Sequence, residues 1–303
     1  MEKNTLVKLG AEVGEVLRER GPVVALESTV IAHGLPRPLN VEIARRLEQI
    51  VRDAGATPAT IAVLDGELCA GLAEKQIEFI ANDNDIKKIS TRDLPLARTH
   101  RWNAATTVAS TIWIAKRAGI DVFATGGIGG VHRGTVSDVS ADLPELARTP
   151  INVVCSGAKI VLDLAATREW LETYGITIVG YQCDEMPAFY SRRSGLPIDA
   201  RVDSAAEVVN VIRAQRELGI TSALLVAVPV PKAAEVDSEM LERVILESLK
   251  EAEQKQIAGR DVTPFLLSRM SEASGGATLH ANVALLENNA RVAAEIAVAA
   301  NKS

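Results

Sequence analysis

Short apolar runs alternate with longer segments of helical periodicity over most of the 303-residue chain. Apolar runs bounded by turn residues are typical of strands buried in a parallel sheet. Segments whose apolar residues recur every three or four positions predict helices packed on that sheet. The alternation therefore predicts the α/β class with a largely parallel sheet. The predicted strands cover residues 22–26, 60–64, 68–70, 86–90, 122–125, 151–154, 176–180 and 223–228.

Turn and cap residues refine this pattern. The pair Asp65-Gly66 lies between two predicted strands and indicates a two-residue hairpin, which would make the sheet mixed. Asn103 and Ser156 precede helical patterns as possible N-caps. No repeat, low-complexity tract or linker interrupts the chain, so a single domain over residues 1–303 is expected. The predicted helices cover residues 5–20, 41–53, 72–80, 104–118, 157–174, 205–218, 238–256, 263–273 and 281–300.

The composition favours a soluble, cytoplasmic protein. Its 47% hydrophobic content contains only 3% aromatic residues, which suits helices packed on buried strands. The net charge of −6 argues against nonspecific binding of nucleic acid. The amino terminus lacks a signal-peptide core, and no apolar run reaches the ~20 residues of a membrane-spanning helix. The three cysteines lie far apart without disulfide or zinc spacing, so reduced thiols are expected.

A glycine-rich run at residues 125–134 follows a predicted strand. Successive backbone N–H groups in such a loop can converge on an anion, which predicts a phosphate or substrate loop. A dinucleotide-binding loop is the alternative. That motif requires a third glycine and a following helix, and both are missing here, so the phosphate interpretation is favoured. His132 and Arg133 within the run can add positive charge, or His132 can be purely structural.

An acidic loop comes next. Asp138, Ser140 and Asp142 alternate and would share one face of an extended segment that begins near Ser137. Carboxylates and hydroxyls are hard oxygen ligands suited to Mg²⁺ or Mn²⁺. The alternative is that Asp142 only caps a helix over residues 143–147. Both interpretations stay open at this point.

Lys159 has an unusual position for a lysine. With Ser156 as N-cap, it would be about the third helical residue, where unpaired N–H groups disfavour a cation. The surrounding residues are apolar, and desolvation also favours the neutral amine. A neutral lysine amine can attack a sugar aldehyde carbon and form a Schiff base. The alternative is a packed stem whose head reaches solvent or pairs with Asp163.

Two further residues are candidates. Glu27 follows an apolar strand, where α/β folds bind ligands, and a carboxyl there can act as general acid or base. It can equally be a loop cap at the strand end. Lys88 can bind a phosphate or belong to a solvated charge pair with Lys87. The four histidines show no paired spacing for zinc.

These motifs together resemble the pseudouridine-5′-phosphate glycosidase family, which includes the indigoidine-synthase-A-like proteins. No single motif is decisive, but the set is specific and spans about residues 24–289 in the expected order. Arg37 departs from the family pattern, in which an aromatic residue is common. The link before Asp138 is also two residues shorter than in many members. The matching segments are residues 25–34, 124–134, 138–143, 155–159, 180–181, 187–190 and 281–285.

The resemblance implies a three-layer α/β/α core, a homotrimer and a reversible reaction. That reaction joins or splits uracil and ribose 5-phosphate through a C–C glycosidic bond. By resemblance Lys159 is the Schiff-base nucleophile, Glu27 the proton donor and Asp138 the ligand of one Mn²⁺ per subunit, with Mg²⁺ as an alternative. The implied substrate-binding residues are Lys88, Val108, Ser140, Ala141 and Asp142, with Thr107, Thr125 and His132 around the phosphate and Asn282 at uracil.

Two other functions fit the same residues. One is a different Schiff-base enzyme, such as a sugar-phosphate aldolase or lyase. The other is a non-catalytic protein that binds sugar phosphates. The C-glycosidase interpretation is favoured because of this resemblance, and its chemistry explains the need for a lysine, since carbon 5 of uracil is a poor leaving atom. Opening the sugar and attaching Lys159 at C1′ lets uracil leave, provided an acid such as Glu27 supplies a proton.

Overall fold

A mixed, mostly parallel sheet forms the centre of the computed structural model, which describes residues 6–133, 138–257 and 262–302. Among these residues, eleven strands join the main sheet and two form a small separate one. The strands are β1 (Val7–Leu9), β2 (Val23–Glu27), β3 (Thr57–Leu64), β4 (Glu67–Ala70), β5 (Lys87–Ile89), β6 (Ala104–Thr106), β7 (Val122–Ala124), β8 (Val131–His132), β9 (Asn152–Cys155), β10 (Leu162–Asp163), β11 (Thr177–Tyr181), β12 (Ala200–Val202) and β13 (Leu224–Ala227).

The strand order is β1-β4-β3-β2-β7-β9-β13-β11-β12, and β6 pairs with both β3 and β5. The central strands β2, β7, β9 and β13 are parallel and buried along their whole length. This burial on both faces explains their continuous apolar sequences. The hairpin between β3 and β4 is antiparallel, as predicted, and Asp65 and Gly66 have the positive φ angles, 50° and 78°, of its tight turn.

Helices cover both faces of the sheet, which confirms the three-layer α/β/α prediction. One long helix packs against β2, β7 and β9, while another packs against β2, β3 and β6. The helices are α1 (Ala11–Arg18), α2 (Leu39–Asp53), α3 (Glu74–Asn82), α4 (Leu94–Thr99), α5 (Val108–Ala118), α6 (Asp142–Arg148), α7 (Leu164–Thr173), α8 (Ala205–Glu217), α9 (Ser238–Gln254), α10 (Val262–Ala273) and α11 (Ala277–Asn301). The helix on β2, β7 and β9 is α11, and the helix on β2, β3 and β6 is α5. Within the described ranges, no helix has the length and apolar character required to cross a bilayer.

Three predicted helices were wrong in part. The segment predicted as one helix over residues 5–20 divides into β1 and α1, because its first residues pair with β4. Residues 104–106 form β6 rather than a helical turn, so Thr107 is the N-cap of α5. Asn103 instead accepts a hydrogen bond from the Asp65 amide, 2.8 Å away. Strand β12 was not predicted, and the single domain over residues 1–303 stays a prediction.

The third error affects the site. Residues 157–161 form bends and turns, and α7 begins only at Leu164, with Asp163 as its N-cap. Gly157 has a φ of 81°, and its Cα lies so close to the Pro187 carbonyl that a Cβ would be 2.2 Å from that oxygen. A helix starting at Ser156 is incompatible with this backbone. Lys159 therefore lies in a turn between β9 and β10, and the helix-start argument for its amine does not apply.

Candidate active site

Glu27 lies at the carboxyl end of β2, close to where the neighbouring parallel strand β7 also ends. The side chain is 7% exposed, and the Thr125 hydroxyl, just after β7, donates a hydrogen bond to its Oε1 atom. Burial raises the pKa of Glu27 above its ordinary value. The positive charge of Lys159 and the hydrogen bond from Thr125 act in the opposite direction but do not cancel this effect. The structure thus provides a carboxyl group that holds its proton more strongly than a free glutamate.

The glycine run fixes the position of Lys159. It continues β7 alongside the turn that follows β9, and four backbone hydrogen bonds connect the two segments. The Lys159 amide donates to the Ile128 carbonyl over 3.0 Å, and Ile128 donates to the Gly157 carbonyl over the same distance. Ser156 donates to Gly126 over 2.8 Å, and Thr125 donates to Val154 over 3.0 Å. Lys159 is consequently attached to the same backbone that holds the partner of Glu27.

The glycines of the run let neighbouring segments pack closely against its backbone. A Cβ on Gly127 would lie 2.7 Å from the Phe189 ring, and a Cβ on Gly129 would lie 2.2 Å from Ser140 Oγ. The amides of Ile128 and Gly129 already donate to acceptors within the protein. These two amides are therefore not available for the predicted phosphate cradle. Gly134, at the end of the run, lies outside the described residues.

One cavity brings together the two predicted catalytic residues and two predicted substrate ligands. Lys159 and Glu27 both line it, together with Lys88 from β5 and Asn282 from α11. The remaining lining is mostly apolar or backbone, which is the usual composition of a small-molecule pocket. It consists of Thr29, Val30, His33, Gly34, Gly126, Gly127, Phe189, Leu267 and Leu286.

Two predicted substrate-binding residues, one of them expected at the phosphate, lie at the start of α5, outside the lining of this cavity. Thr107 is the N-cap, and its hydroxyl is 3.3 Å from Ser110 Oγ. Val108 is the first helical residue and is 1% exposed, so it can offer a ligand little besides its backbone. The Thr107 amide donates to the Ile89 carbonyl at the end of β5, the strand that contains Lys88. The start of α5 is thus held beside β5, the strand that supplies Lys88 to the cavity.

Hydrogen bonds connect the acidic loop to the start of α5 and to the glycine run. Asp142 is 5% exposed, and its carboxylate accepts hydrogen bonds from the Ala109 amide over 2.9 Å and the Gly129 amide over 2.7 Å. The predicted cap role was wrong, since Asp142 is the first residue of α6 and Ala141 is the N-cap. Ser140 Oγ accepts from the Asp142 amide over 3.3 Å. Asp142 therefore connects the α5 start to the glycine run.

Asp138 is the most accessible carboxylate of this loop. Its side chain is 58% exposed, and one oxygen lies 3.9 Å from Nδ1 of His132. The His132 amide donates to the Asp138 carbonyl over 2.9 Å, which holds the two residues side by side. Within the described residues, no three His, Cys, Asp or Glu side chains cluster as metal ligands. Ser137, the predicted start of the loop, lies outside the described residues.

Sequence reasoning missed Asn289, a buried residue of α11 that is 1% exposed. Its amide nitrogen donates to the Thr125 carbonyl over 2.8 Å and lies 3.1 Å from Ser156 Oγ. Thr125 contacts Glu27, and Ser156 begins the turn that ends at Lys159. Asn289 therefore joins the two segments that position the acid and the amine. An asparagine within an apolar helix was the available signal, but its partners are distant in sequence.

Replacing Asn289 with alanine should reduce turnover at least about 10-fold, because small misplacements of reacting groups are costly. The buried carbonyl of Thr125 would also lose a donor, which lowers stability by about 1–3 kcal/mol. Asn288→Ala is the matched control, since Asn288 precedes it on α11 and its nitrogen is 3.4 Å from the Pro229 carbonyl, away from the cavity. Steady-state kinetics and thermal unfolding test the prediction. A kcat equal to that of Asn288→Ala would contradict it.

The fold and the cavity define the class of protein. Parallel strands that end at a cavity containing a buried carboxyl group and a lysine are typical of α/β enzymes acting on small molecules. The family model described as indigoidine synthase A like protein matches residues 12–299. The chain belongs to this family.

Named relatives and solved structures are similar over nearly the whole chain. A pseudouridine-5′-phosphate glycosidase of Caldanaerobacter subterraneus subsp. tengcongensis is 49% identical, over 99% of this chain and 98% of its own. The crystal structure of the prealnumycin C-glycosynthase AlnA in complex with ribulose 5-phosphate is 39% identical, with a TM-score of 0.91 and 98% of both chains covered. An indigoidine synthase A-like protein of Thermotoga maritima is 38% identical, with a TM-score of 0.89, covering 98% of this chain and 97% of its own.

Proposed function

We propose that this protein is a pseudouridine-5′-phosphate glycosidase, which reversibly splits pseudouridine 5′-phosphate into uracil and ribose 5-phosphate. The relatives with this name match nearly the whole chain. The observation that supports the proposal best is that Lys159 and Glu27 line one cavity. Breaking a C–C glycosidic bond needs a nucleophile for the sugar carbon and a proton for the departing base, and this pair supplies both.

In the proposed cleavage reaction, the Lys159 amine forms a C–N bond to C1′ as the C1′–O4′ bond breaks and opens the sugar ring, and the proton that the amine loses goes to O4′. Glu27 donates its proton to carbon 5 of uracil. The nitrogen lone pair then forms the C=N bond of a Schiff base, and the electron pair of the broken C1′–C5 bond returns to the uracil ring. Water hydrolyses the Schiff base, which releases ribose 5-phosphate and the free amine. The raised pKa of Glu27 keeps the required proton in place at higher pH than an exposed glutamate would.

The remaining residues would bind and orient the substrate. Lys88 and Lys159 give the cavity its positive charge, which suits an anionic sugar phosphate. We place the phosphate near Thr107, Thr125 and His132, with Val108 and residues 140–142 completing the surroundings of the substrate. The hydroxyl and amide of Thr125 already donate to Glu27 and Val154, so Thr125 would act beside the phosphate by holding Glu27 in position. Asn282 offers both an amide donor and acceptor to uracil.

Asp138 would bind one Mn²⁺ or Mg²⁺. Its exposed carboxylate is a hard oxygen ligand, and such ions keep several waters and are often held by one carboxylate plus substrate phosphate. The single carboxylate at this position fits such a water-rich site and does not fit an all-protein cage. Bound there, the ion would neutralise phosphate charge and orient the sugar.

Removing the metal should reduce activity, and Asp138→Asn should weaken Mn²⁺ binding at least about 10-fold, because the ion loses its charged ligand. Mn²⁺ binding measured by paramagnetic resonance, together with activity after chelation and Mn²⁺ addition, tests this. Asp85→Asn is the control, because Asp85 is an exposed surface acid outside the cavity lining. Equal Mn²⁺ affinity in the two variants would show that Asp138 is not the ligand.

We also propose that the protein is a cytoplasmic homotrimer. The resemblance to the glycosidase family supports the homotrimer, and the three free cysteines agree with a reducing compartment. Sedimentation equilibrium at several concentrations tests the oligomeric state, and a monomer throughout would refute it.

Incubating the protein with uracil and ribose 5-phosphate tests the function directly. Pseudouridine 5′-phosphate should form, and mass spectrometry and ultraviolet absorbance detect it. No product, with or without Mn²⁺, would refute the proposal. Borohydride reduction in the presence of ribose 5-phosphate then distinguishes the alternatives. A different Schiff-base aldolase or lyase would still give a covalent adduct, whereas a binding protein would give none.

A further inference from the structure

A second cleft adjoins the catalytic cavity and shares part of its wall. This outer cleft lies between the turn at Val30–Gly34 and helices α10 and α11. The two spaces have four lining residues in common, which are His33, Gly34, Leu267 and Asn282. Glu27, Lys88 and Lys159 line only the catalytic cavity. A ligand that extends from the catalytic pair into the outer cleft must therefore pass Leu267 and Asn282.

The charges show which end of the substrate faces the outer cleft. Among the described residues that line the cleft, none is Lys or Arg, and Glu272 is already paired with Arg269. The cleft lining therefore supplies no cation for a phosphate dianion, while Lys88 and Lys159 attract it in the catalytic cavity. The neutral base is the remaining end of the substrate. Asn282, which lines both spaces, offers the hydrogen-bonding amide that a planar base requires.

Leu267 is a large apolar side chain at this boundary. It projects from α10, which packs against both α11 and the Val30–Gly34 turn, and it is partly buried against the main hydrophobic core. Packing on two sides gives the leucine a defined position. The shared wall contains no other large aliphatic side chain, because His33, Gly34 and Asn282 are its remaining members.

We propose that Leu267 sets the size limit for the base, and that the outer cleft is a latent subsite for uracils that have an additional neutral substituent. This inference rests on the proposed function. The cleft lining suits such a group, because Leu35 and Leu279 offer apolar contact and Ser271 and Thr278 offer hydroxyls. With leucine at position 267, unsubstituted uracil fits and the cleft stays separate from the reaction. Shortening the side chain joins the two spaces.

The test compares uracil with 1-, 3- and 6-propyluracil as acceptors for ribose 5-phosphate. Leu267→Ala should raise the ratio of kcat/KM for at least one propyluracil to that for uracil by at least about 10-fold, the effect of a few methylenes in a pocket. Leu267→Val, a smaller truncation that is safer for folding, should raise the ratio less. Leu249→Ala is the matched control, because Leu249 is also a partly buried leucine but lines neither space. It should leave the ratio within about 2-fold of the parent.

Calorimetric binding of the three propyluracils to each variant provides a second measurement. Unchanged ratios and unchanged binding in both Leu267 variants would overturn the proposal, as would an equal gain in Leu249→Ala. A parent protein that makes no pseudouridine 5′-phosphate from uracil would refute the proposed function instead. Tighter binding of a propyluracil to Leu267→Ala would still identify Leu267 as the boundary in that case.

Discussion

Lys159→Ala should lower the formation of pseudouridine 5′-phosphate by at least about 10⁴-fold, because loss of a covalent nucleophile removes the reaction path itself. The protein should stay folded, since Lys159 lies in a turn whose bonds to Ile128 are made by the backbone. Initial rates with saturating uracil and ribose 5-phosphate measure the effect, and circular dichroism checks the fold. Residual activity within about 10-fold of the parent would remove Lys159 from this role.

Two further variants separate covalent from electrostatic action. Lys159→Arg keeps the positive charge but cannot form a Schiff base, so it should be as inactive as the alanine variant. Lys88→Ala removes the other lysine of the cavity and should weaken substrate binding while leaving the nucleophile in place. Borohydride reduction with ribose 5-phosphate should therefore label the parent and Lys88→Ala at Lys159, and label neither Lys159 variant. If Lys88 were labelled in the parent instead, Lys88 would be the nucleophile and Lys159 the lysine that binds the substrate.

Most of the fold was predictable because its strongest determinants are local. The strands β2, β7, β9 and β13 are continuous apolar runs, since both faces of each are covered. The Asp65-Gly66 pair likewise predicted its hairpin from two residues. The strands that were not predicted have only two or three residues each; they are β1, β6, β8, β10 and β12. Such short segments become strands because distant partners pair with them, and a local pattern does not contain that information.

The grouping of four candidate residues was predictable, but their local geometry was less so. Lys159, Glu27, Lys88 and Asn282 line one cavity. Lys159 does not lie at a helix start as predicted, because the turn at residues 157–161 is in close contact with Pro187, about thirty positions away. Glycine-run amides expected at a phosphate instead bond to the protein. The turn at Lys159 and the hydrogen bonds of these amides both depend on contacts between segments that are distant in sequence.

Those distant contacts also explain why the acid and the amine depend on each other. Thr125 bonds to Glu27, and Asn289 connects Thr125 to Ser156, whose turn leads to Lys159. Helix α11 therefore joins the segment that follows β7 to the segment that follows β9. Aligning these groups before substrate binds reduces the cost of bringing reacting atoms together.

Glu27→Gln should lower the cleavage rate of pseudouridine 5′-phosphate by about 10²–10⁴-fold, because the amide keeps the shape of the side chain and the acceptor for Thr125 but cannot donate the required proton. The parent should lose cleavage activity as pH rises through the raised pKa of Glu27, since the acid form is consumed. The variant should lack this descending limb. A pH–rate profile of kcat in the cleavage direction measures both effects, and a limb that persists in Glu27→Gln would assign the proton to another group.

Glu27→Gln should become more stable relative to the parent as pH rises, although it stays less active. A carboxyl whose pKa is raised in the folded state stabilises the fold fully below its ordinary pKa of 4.5, and that contribution is lost as pH rises through the raised value. The melting temperature of Glu27→Gln relative to the parent should therefore increase as pH rises above 4.5. Glu48 is a matched control, because burial also raises its pKa and Thr60 donates to it over 2.6 Å, yet it lies outside the cavity lining. Glu48→Gln should show the same trend in stability with normal turnover, which distinguishes the cost of burying a carboxylate from its use as an acid.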